Sequence, residues 1–192
     1  MPDNVTQIPA SRVPIVEAVT NFVQREWYRF FYNLYALLGS GSLRYGVFHS
    51  SVSQPLAAAG VAQAVTYSAT DITAGVSVGP VTSRLYVDRP GAYNFQFSLQ
   101  LVSKDVSTKL VYVWARINGT DVGDSATKIT MQGNNDAYVA AWNFVLRMNT
   151  GDYFELMWSG HNLNLEIEAS AAASPRPAIP SVIMTVSCNI GT

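Results

Sequence analysis

From Gly91 onward the chain alternates. Tyr93, Phe95, Phe97, Leu99 and Leu101 take every second position, and Asn94, Gln96, Ser98 and Gln100 fill the places between. Side chains of a strand point to opposite faces with a period of two, so this run predicts a half-buried strand after a Pro90-Gly91 turn. KLVYVWARING sets Leu110, Tyr112, Trp114 and Arg116 against Val111, Val113, Ala115 and Ile117, and ends in Asn118-Gly119, a strong turn dipeptide. Both faces of that strand are expected to be largely covered. AYVAAWNFVLRMNTGDYFELMW predicts two more strands around Asn149-Thr150-Gly151-Asp152. LNLEIEA predicts a short strand with Leu163, Leu165 and Ile167 on one face and Asn164, Glu166 and Glu168 on the other. SVIMTVSCNI closes the series. Roughly eight to ten strands at regular spacing, with turn signals between them, predict a jelly-roll β-sandwich over residues 43–192 rather than an α/β fold. Residues 53–65 and 169–180, rich in Ala, Gly, Ser and Pro, are expected to be long loops.

Before residue 43 the period is different. REWYRFFYNLYALLG carries Trp27, Tyr28, Phe30, Phe31, Tyr32 and Tyr35, with Phe22 just ahead. Residues 20–38 read as a helix about 28 Å long, with Thr20 as N-cap and Gly39 just past the end. Val23, Trp27, Phe30, Leu34 and Leu37 are spaced 4, 3, 4, 3, a short seam of the coiled-coil kind. Tyr28, Tyr32 and Tyr35 make a second stripe beside it. The run is too apolar for an idle surface helix and too short for a membrane span. Residues 1–19 hold Pro2, Pro9 and Pro14 and predict an extended arm without helix. The arm reads equally as a docking peptide, through Val5, Ile8, Val13, Ile15 and Val16, or as a disordered tail. Gly39, Ser40, Gly41 and Ser42 predict a flexible joint, so the chain divides into 1–19, 20–42 and 43–192. The fold class is thus mainly β, a sandwich with an extended N-terminal arm and one N-terminal α-helix.

Composition narrows the function. Charged residues make up 13% of the chain, against a usual share of about 25%, and the net charge is −1. A chain so poor in charge and holding ten Tyr and four Trp is expected to hide surface in an oligomer interface. No Lys/Arg run supplies the electrostatic footprint of a nucleic-acid binder. No stretch of about 18 apolar residues predicts membrane insertion, and the first residues lack the apolar core of a signal peptide. The single Cys188 precludes an internal disulfide or a cysteine-based zinc site and reads as a small residue of the last strand.

The residues offer no active site. His49 and His161 have no metal-ligand spacing, and His161 is expected in an exposed turn. Glu166 and Glu168 share a strand face and suit acid/base work, but they equally form the polar side of the pleat. Asp121, Asp124 and Asp136 fall near turns without EF-hand spacing. No G-x-S-x-G elbow, GxGxxG or P-loop pattern occurs. Trp142 and Trp158 are candidates for stacking on sugars, with a core or interface role as the alternative. No catalytic, cofactor or metal site is expected.

Two resemblances add to this. PGAYNFQFSLQL, VYVWARINGTDV and FVLRMNTGDYFELMW, in that order, resemble the strand motifs of the C1q/TNF-like trimeric jelly roll, through Gly91-Tyr93-Phe95-Phe97, Asn118-Gly119 and Leu146…Gly151-Asp152-Tyr153. The last strand matches in place but lacks the usual Phe-Ser-Gly wording. The likeness covers roughly residues 80–190 and implies a homotrimer. IPASRVPIVEAVTNFVQREWYRFFYNLYALLGSG resembles the N-terminal segment of virion structural proteins of short-tailed bacteriophages, through Ile8-Pro9, Arg12-Val13-Pro14 and the run from Arg25 to Phe31. It implies a location in the virion and a docking arm made of Ile8, Pro9, Arg12, Val13 and Pro14. The partners implied are other virion proteins: a tail adaptor, nozzle or portal, or the major capsid protein. The expectation is a non-enzymatic trimeric knob on a tail or head fibre, gathered by its helix. A capsid decoration protein stapling capsomers and a carbohydrate-binding knob that recognises a host surface glycan are the alternatives.

Overall fold

The alternating run after Pro90 becomes the longest strand of the protein. In the computed structural model, which describes residues 8–39 and 43–190, it spans Gly91–Ser103. Tyr93, Phe95, Phe97, Leu99 and Leu101 are at most 2% exposed, while Asn94, Gln96, Ser98 and Gln100 face outward. The strands are β1 (Tyr45–Ser50), β2 (Gln54–Pro55), β3 (Gln63–Ala64), β4 (Ala69–Ala74), β5 (Val76–Val78), β6 (Leu85–Val87), β7 (Gly91–Ser103), β8 (Lys109–Ile117), β9 (Thr120–Asp121), β10 (Thr127–Met131), β11 (Ala137–Met148), β12 (Tyr153–Gly160), β13 (Leu165–Ile167) and β14 (Val182–Ile190). They form two seven-stranded sheets. The first runs β2-β13-β7-β14-β1-β4, with β11 on the other edge of β7; the second runs β10-β8-β12-β6-β5, with β3 on β12 and β9 on β8. Every pairing is antiparallel. Because the chain passes from β7 to β8, from β10 to β11 and from β12 to β13 between sheets, the sandwich is a jelly roll.

The core lies between the sheets. Phe48, Tyr93, Phe95, Met184 and Val186 come from the first, and Val111, Val113, Phe154, Leu156 and Trp158 from the second. Phe95 and Phe154 stack at 4.1 Å and join the layers. Burying side chains of this size stabilises the fold by roughly 1.5–3 kcal/mol each.

Several local expectations are corrected. Residues 53–65 contain the short strands β2 and β3, which cover sheet edges. Residues 169–180 form a loop, folded on itself by bridges Ser170↔Ile179 and Ala173↔Arg176. In β8 only one face is fully covered: Val111, Val113 and Ala115 are buried, whereas Tyr112 is 36% exposed and Leu110, Trp114 and Arg116 are half-buried. Leu163 stands before β13 and is exposed instead of sharing the face of Leu165.

The contacts of the chain separate Met1–Ser42 from Leu43–Thr192. In the first unit the helix, α1, spans Arg25–Gly39 and starts five positions later than expected. Asn21 adopts φ 57°, in the left-handed region, and breaks any helix running from Thr20. Val16 bridges Val23, and the Glu17 amide donates to the Phe22 carbonyl at 2.9 Å. The Thr20 hydroxyl donates to Glu17 at 2.7 Å, so Thr20 is a turn residue and not the N-cap. Val23 therefore precedes α1 and leaves the helical seam. The arm is likewise not simply extended: residues 11–13 and 18–20 turn. Residues 1–7, the joint residues 40–42 and the side chain of Leu37 lie outside the described parts.

Candidate interaction surfaces

Most of the candidate chemical groups are engaged structurally; Asp124 is exposed, with φ 58°. Lys104 Nζ pairs with Glu166 at 2.7 Å and Glu168 at 2.8 Å, so the two carboxylates share one ammonium group. Asp121 accepts from Arg116 Nε at 2.7 Å and Trp114 Nε1 at 2.8 Å. Asp136 accepts the Gln132 amide at 2.8 Å. His161 is exposed, as expected, and its Nδ1 accepts the Leu110 amide at 2.8 Å. Among the described residues no group of three or more His, Cys, Asp or Glu is arranged to hold a metal. Trp158 is a fully buried core side chain, and Trp142 is half-buried, packed edge-on against Phe97 at 4.7 Å. Cys188 sits half-buried in β14.

What stands out is the outward face of the first sheet. Its register aligns β11, β7, β14, β1 and β4 in three rows. These are Ala141–Ser98–Ile183–His49–Ala69, Asn143–Gln96–Thr185–Val47–Ile72 and Val145–Asn94–Ser187–Tyr45–Ala74. None of these positions is Asp, Glu, Lys or Arg. A solvated surface ordinarily carries about 25–35% charged residues. Val145 is 64% exposed, Ile72 58%, and Tyr45 and Ile183 about 40%. The outside of the second sheet, in contrast, bears Arg84, Arg116, Asp121 and Lys128. In these rows the five strands contribute small, amide and aliphatic side chains, with Thr185, Tyr45 and His49 besides. Sequence reading saw only the polar half of β7; the signal was that its polar residues are all uncharged.

Charged groups border these rows: Arg147, in the next row opposite Ala92, and Asp71. His49 Nδ1 lies 3.1 Å from Asp71 Oδ2, at the bulge where the β1–β4 register shifts. Beside it the 169–180 loop walls a cleft of about 530 Å³ lined by Ala169, Ser170, Ile179, Pro180 and Ile183.

The N-terminal unit presents a second surface. Trp27 Nε1–H donates to the Val13 carbonyl at 3.0 Å, and Trp27 packs on Phe30 at 5.9 Å and Phe31 at 5.8 Å. Ile8, Pro9 and Ala10 share a cleft of about 530 Å³ with Glu26, Arg29, Phe30 and Asn33. Of the expected docking arm, Val13 and Pro9 are half-buried while Ile8, Arg12 and Pro14 are exposed. Trp27, Phe30 and Leu34 are half-buried; Tyr28, Tyr32 and Tyr35 are exposed.

No family model matches the chain, and no curated protein matches it. Among solved structures it is similar to Eiger TNF from S. frugiperda, with a TM-score of 0.51 at 8% identity, over 78% of this chain and 94% of that one. It is also similar to murine APRIL, with a TM-score of 0.48 at 10% identity, over 77% of this chain and 99% of that one. The likeness to Eiger TNF is one of fold: the chain has a TNF-like jelly roll.

Proposed function

We propose that this chain is a non-enzymatic structural protein of a virion, a homotrimeric knob that attaches through its N-terminal arm and helix. The observation that carries the assembly is the outward face of the first sheet. Its three rows combine exposed aliphatic side chains with uncharged polar ones, the make-up of a surface that loses water on association. A trimer is favoured over a dimer by the strand motifs that resemble the C1q/TNF-like family. The attachment reading rests on the segment from Ile8 to Phe31, which resembles the N-terminal part of short-tailed phage virion proteins. The docking residues are Ile8, Pro9, Arg12, Val13 and Pro14. Three such arms on one knob would multiply a weak contact by avidity.

Sedimentation of the full chain tests the assembly: the expected mass is three times 20.9 kDa, and a clean 20.9 kDa species at micromolar concentration overturns it. Electron microscopy of purified particles tests the location. Knobs on the tail or on head fibres support the first reading. A regular array over the capsid replaces it with the decoration reading, and absence of the protein from the particles overturns both.

A further inference from the structure

We infer that three copies of α1 meet through the face made by Tyr28, Phe31, Tyr32 and Tyr35, and not through the Trp27–Phe30–Leu34 stripe. The inference rests on the trimer reading above and assigns the second seam of that trimer.

The Trp27 stripe already has a partner within its own chain. Its indole N–H is taken by the Val13 carbonyl, and Phe30 lies in the cleft it shares with Ile8 and Pro9. The stripe beside it has, among the described residues, ring contacts only within the helix and stays open: Tyr28 is 62% exposed, Phe31 46%, Tyr32 60% and Tyr35 74%. The steps 28–31–35 and 28–32–35 are 3, 4 and 4, 3, the spacing that keeps one stripe facing a neighbouring helix. Tyr28 and Tyr32 stack at 6.4 Å, which fixes their rings into a common surface.

The occupant of this face is the same helix of the other two copies. A symmetric assembly brings each side chain against its own copy, so a charge near the axis meets a like charge. From Phe30 to Gly39 the helix has no Asp, Glu, Lys or Arg. Its charges, Arg25, Glu26 and Arg29, are confined to the first turns, and Glu26 and Arg29 line the arm cleft. Four aromatic side chains at these exposures offer roughly 500 Å² per copy. Three copies then offer at most roughly 1,500 Å², about 500 Å² per pairwise contact, less than the roughly 1,200–2,000 Å² of a free-standing interface, so this seam adds to one between the knobs. A helix of this length is marginal by itself in water, so the seam forms only with the knobs assembled.

Cysteine cross-linking of the full chain tests this. In a Cys188→Ser background, Tyr35→Cys is oxidised at micromolar concentration and compared with Glu26→Cys, which lies on the arm side. The expected result is an interchain disulfide band at least tenfold stronger for Tyr35→Cys, in protein that sediments as three copies. A three-copy mass with no Tyr35→Cys band, or with the stronger band at Glu26→Cys, overturns the seam and leaves the trimer standing. A one-copy mass with no band at either position overturns the trimer reading and the seam together. Circular dichroism of each variant checks that the β-domain is folded.

Discussion

Tyr67 is 3% exposed, and its hydroxyl has no hydrogen-bond partner. Burial pushes its phenol up, and the nearby Glu155 charge adds to that. Glu155 itself is held by the Ser83 hydroxyl at 2.7 Å and by Arg84. An orphaned buried hydroxyl costs about 1–3 kcal/mol, and Phe keeps the ring. Tyr67→Phe is therefore expected to stabilise the protein by about 1 kcal/mol, read as a higher urea midpoint at unchanged slope. Asp105 shows the opposite situation. The Lys109 ammonium, the Ser107 hydroxyl and amide, and Asn164 all donate to its carboxylate and hold it well below the usual range. Arg116 and then Trp114 lower Asp121; the Asn149 amide and then Asn118 lower Asp152. For a depressed carboxyl, the stabilisation is complete above the unfolded value of about 4 and is lost as pH falls from there toward the folded value. The melting temperature is expected to be flat from about pH 7 to 5 and to drop below about 4. Asp105→Asn should melt lower than the parent at pH 7, and the gap should narrow as the pH falls from about 4 toward 2. A gap that stayed constant with pH would assign Asp105 no part in the acid response. None of this was readable from sequence. Lys109 looked like the first residue of a strand, and its burial depends on a loop that folds back over it.

At the scale of elements, the Asn118-Gly119 turn was legible because both positions need left-handed backbone, and these residues tolerate it. They adopt φ 50° and 81° between β8 and β9. The Asn118 side chain also donates to Asp152 at 2.7 Å and accepts the Tyr153 amide at 2.9 Å, tying the turn to β12. A Cβ at position 119 would sit 3.4 Å from the Tyr153 hydroxyl, an ordinary contact, so Gly119→Ala pays chiefly for the backbone. It is expected to destabilise by about 1–2 kcal/mol. Asn118→Gly keeps the turn and loses two side-chain hydrogen bonds, an expected loss of about 1–2 kcal/mol. Urea unfolding measures both, and no effect from Asn118→Gly would remove the tie to β12. The helix was legible in kind and misjudged in extent. Its apolar period runs through Val23, but the period says nothing about Asn21, where the backbone turns left-handed and the Val16↔Val23 bridge takes over. The surroundings of the Trp27 stripe were illegible for a similar reason. Trp27 has the right spacing for a seam, yet an indole N–H can be claimed by a carbonyl fourteen residues away.

At the scale of the molecule, local alternation gave the strands and their order gave the jelly roll, but the neighbours of each strand were out of reach. The row Asn143–Gln96–Thr185–Val47–Ile72 joins residues far apart in the chain, so its lack of charge becomes visible only when the register is known. Thr185 stands at the middle of this row, exposed in the single chain and flanked by Gln96 and Val47. An aspartate there remains solvated in one copy, where a surface substitution changes stability by no more than about 0.5 kcal/mol. In the trimer three carboxylates would lose water without partners, and an uncompensated buried charge costs about 3–5 kcal/mol. Thr185→Asp is therefore expected to sediment as a single copy with an unchanged β-sheet spectrum. Lys128→Asp, on the outside of the second sheet, places the same charge where no partner is expected and should remain three copies. If Thr185→Asp stays trimeric while Lys128→Asp dissociates, the assembly uses the second sheet. If both stay trimeric, neither Thr185 nor Lys128 lies in the interface, and the proposed role of the first sheet's outward face is overturned.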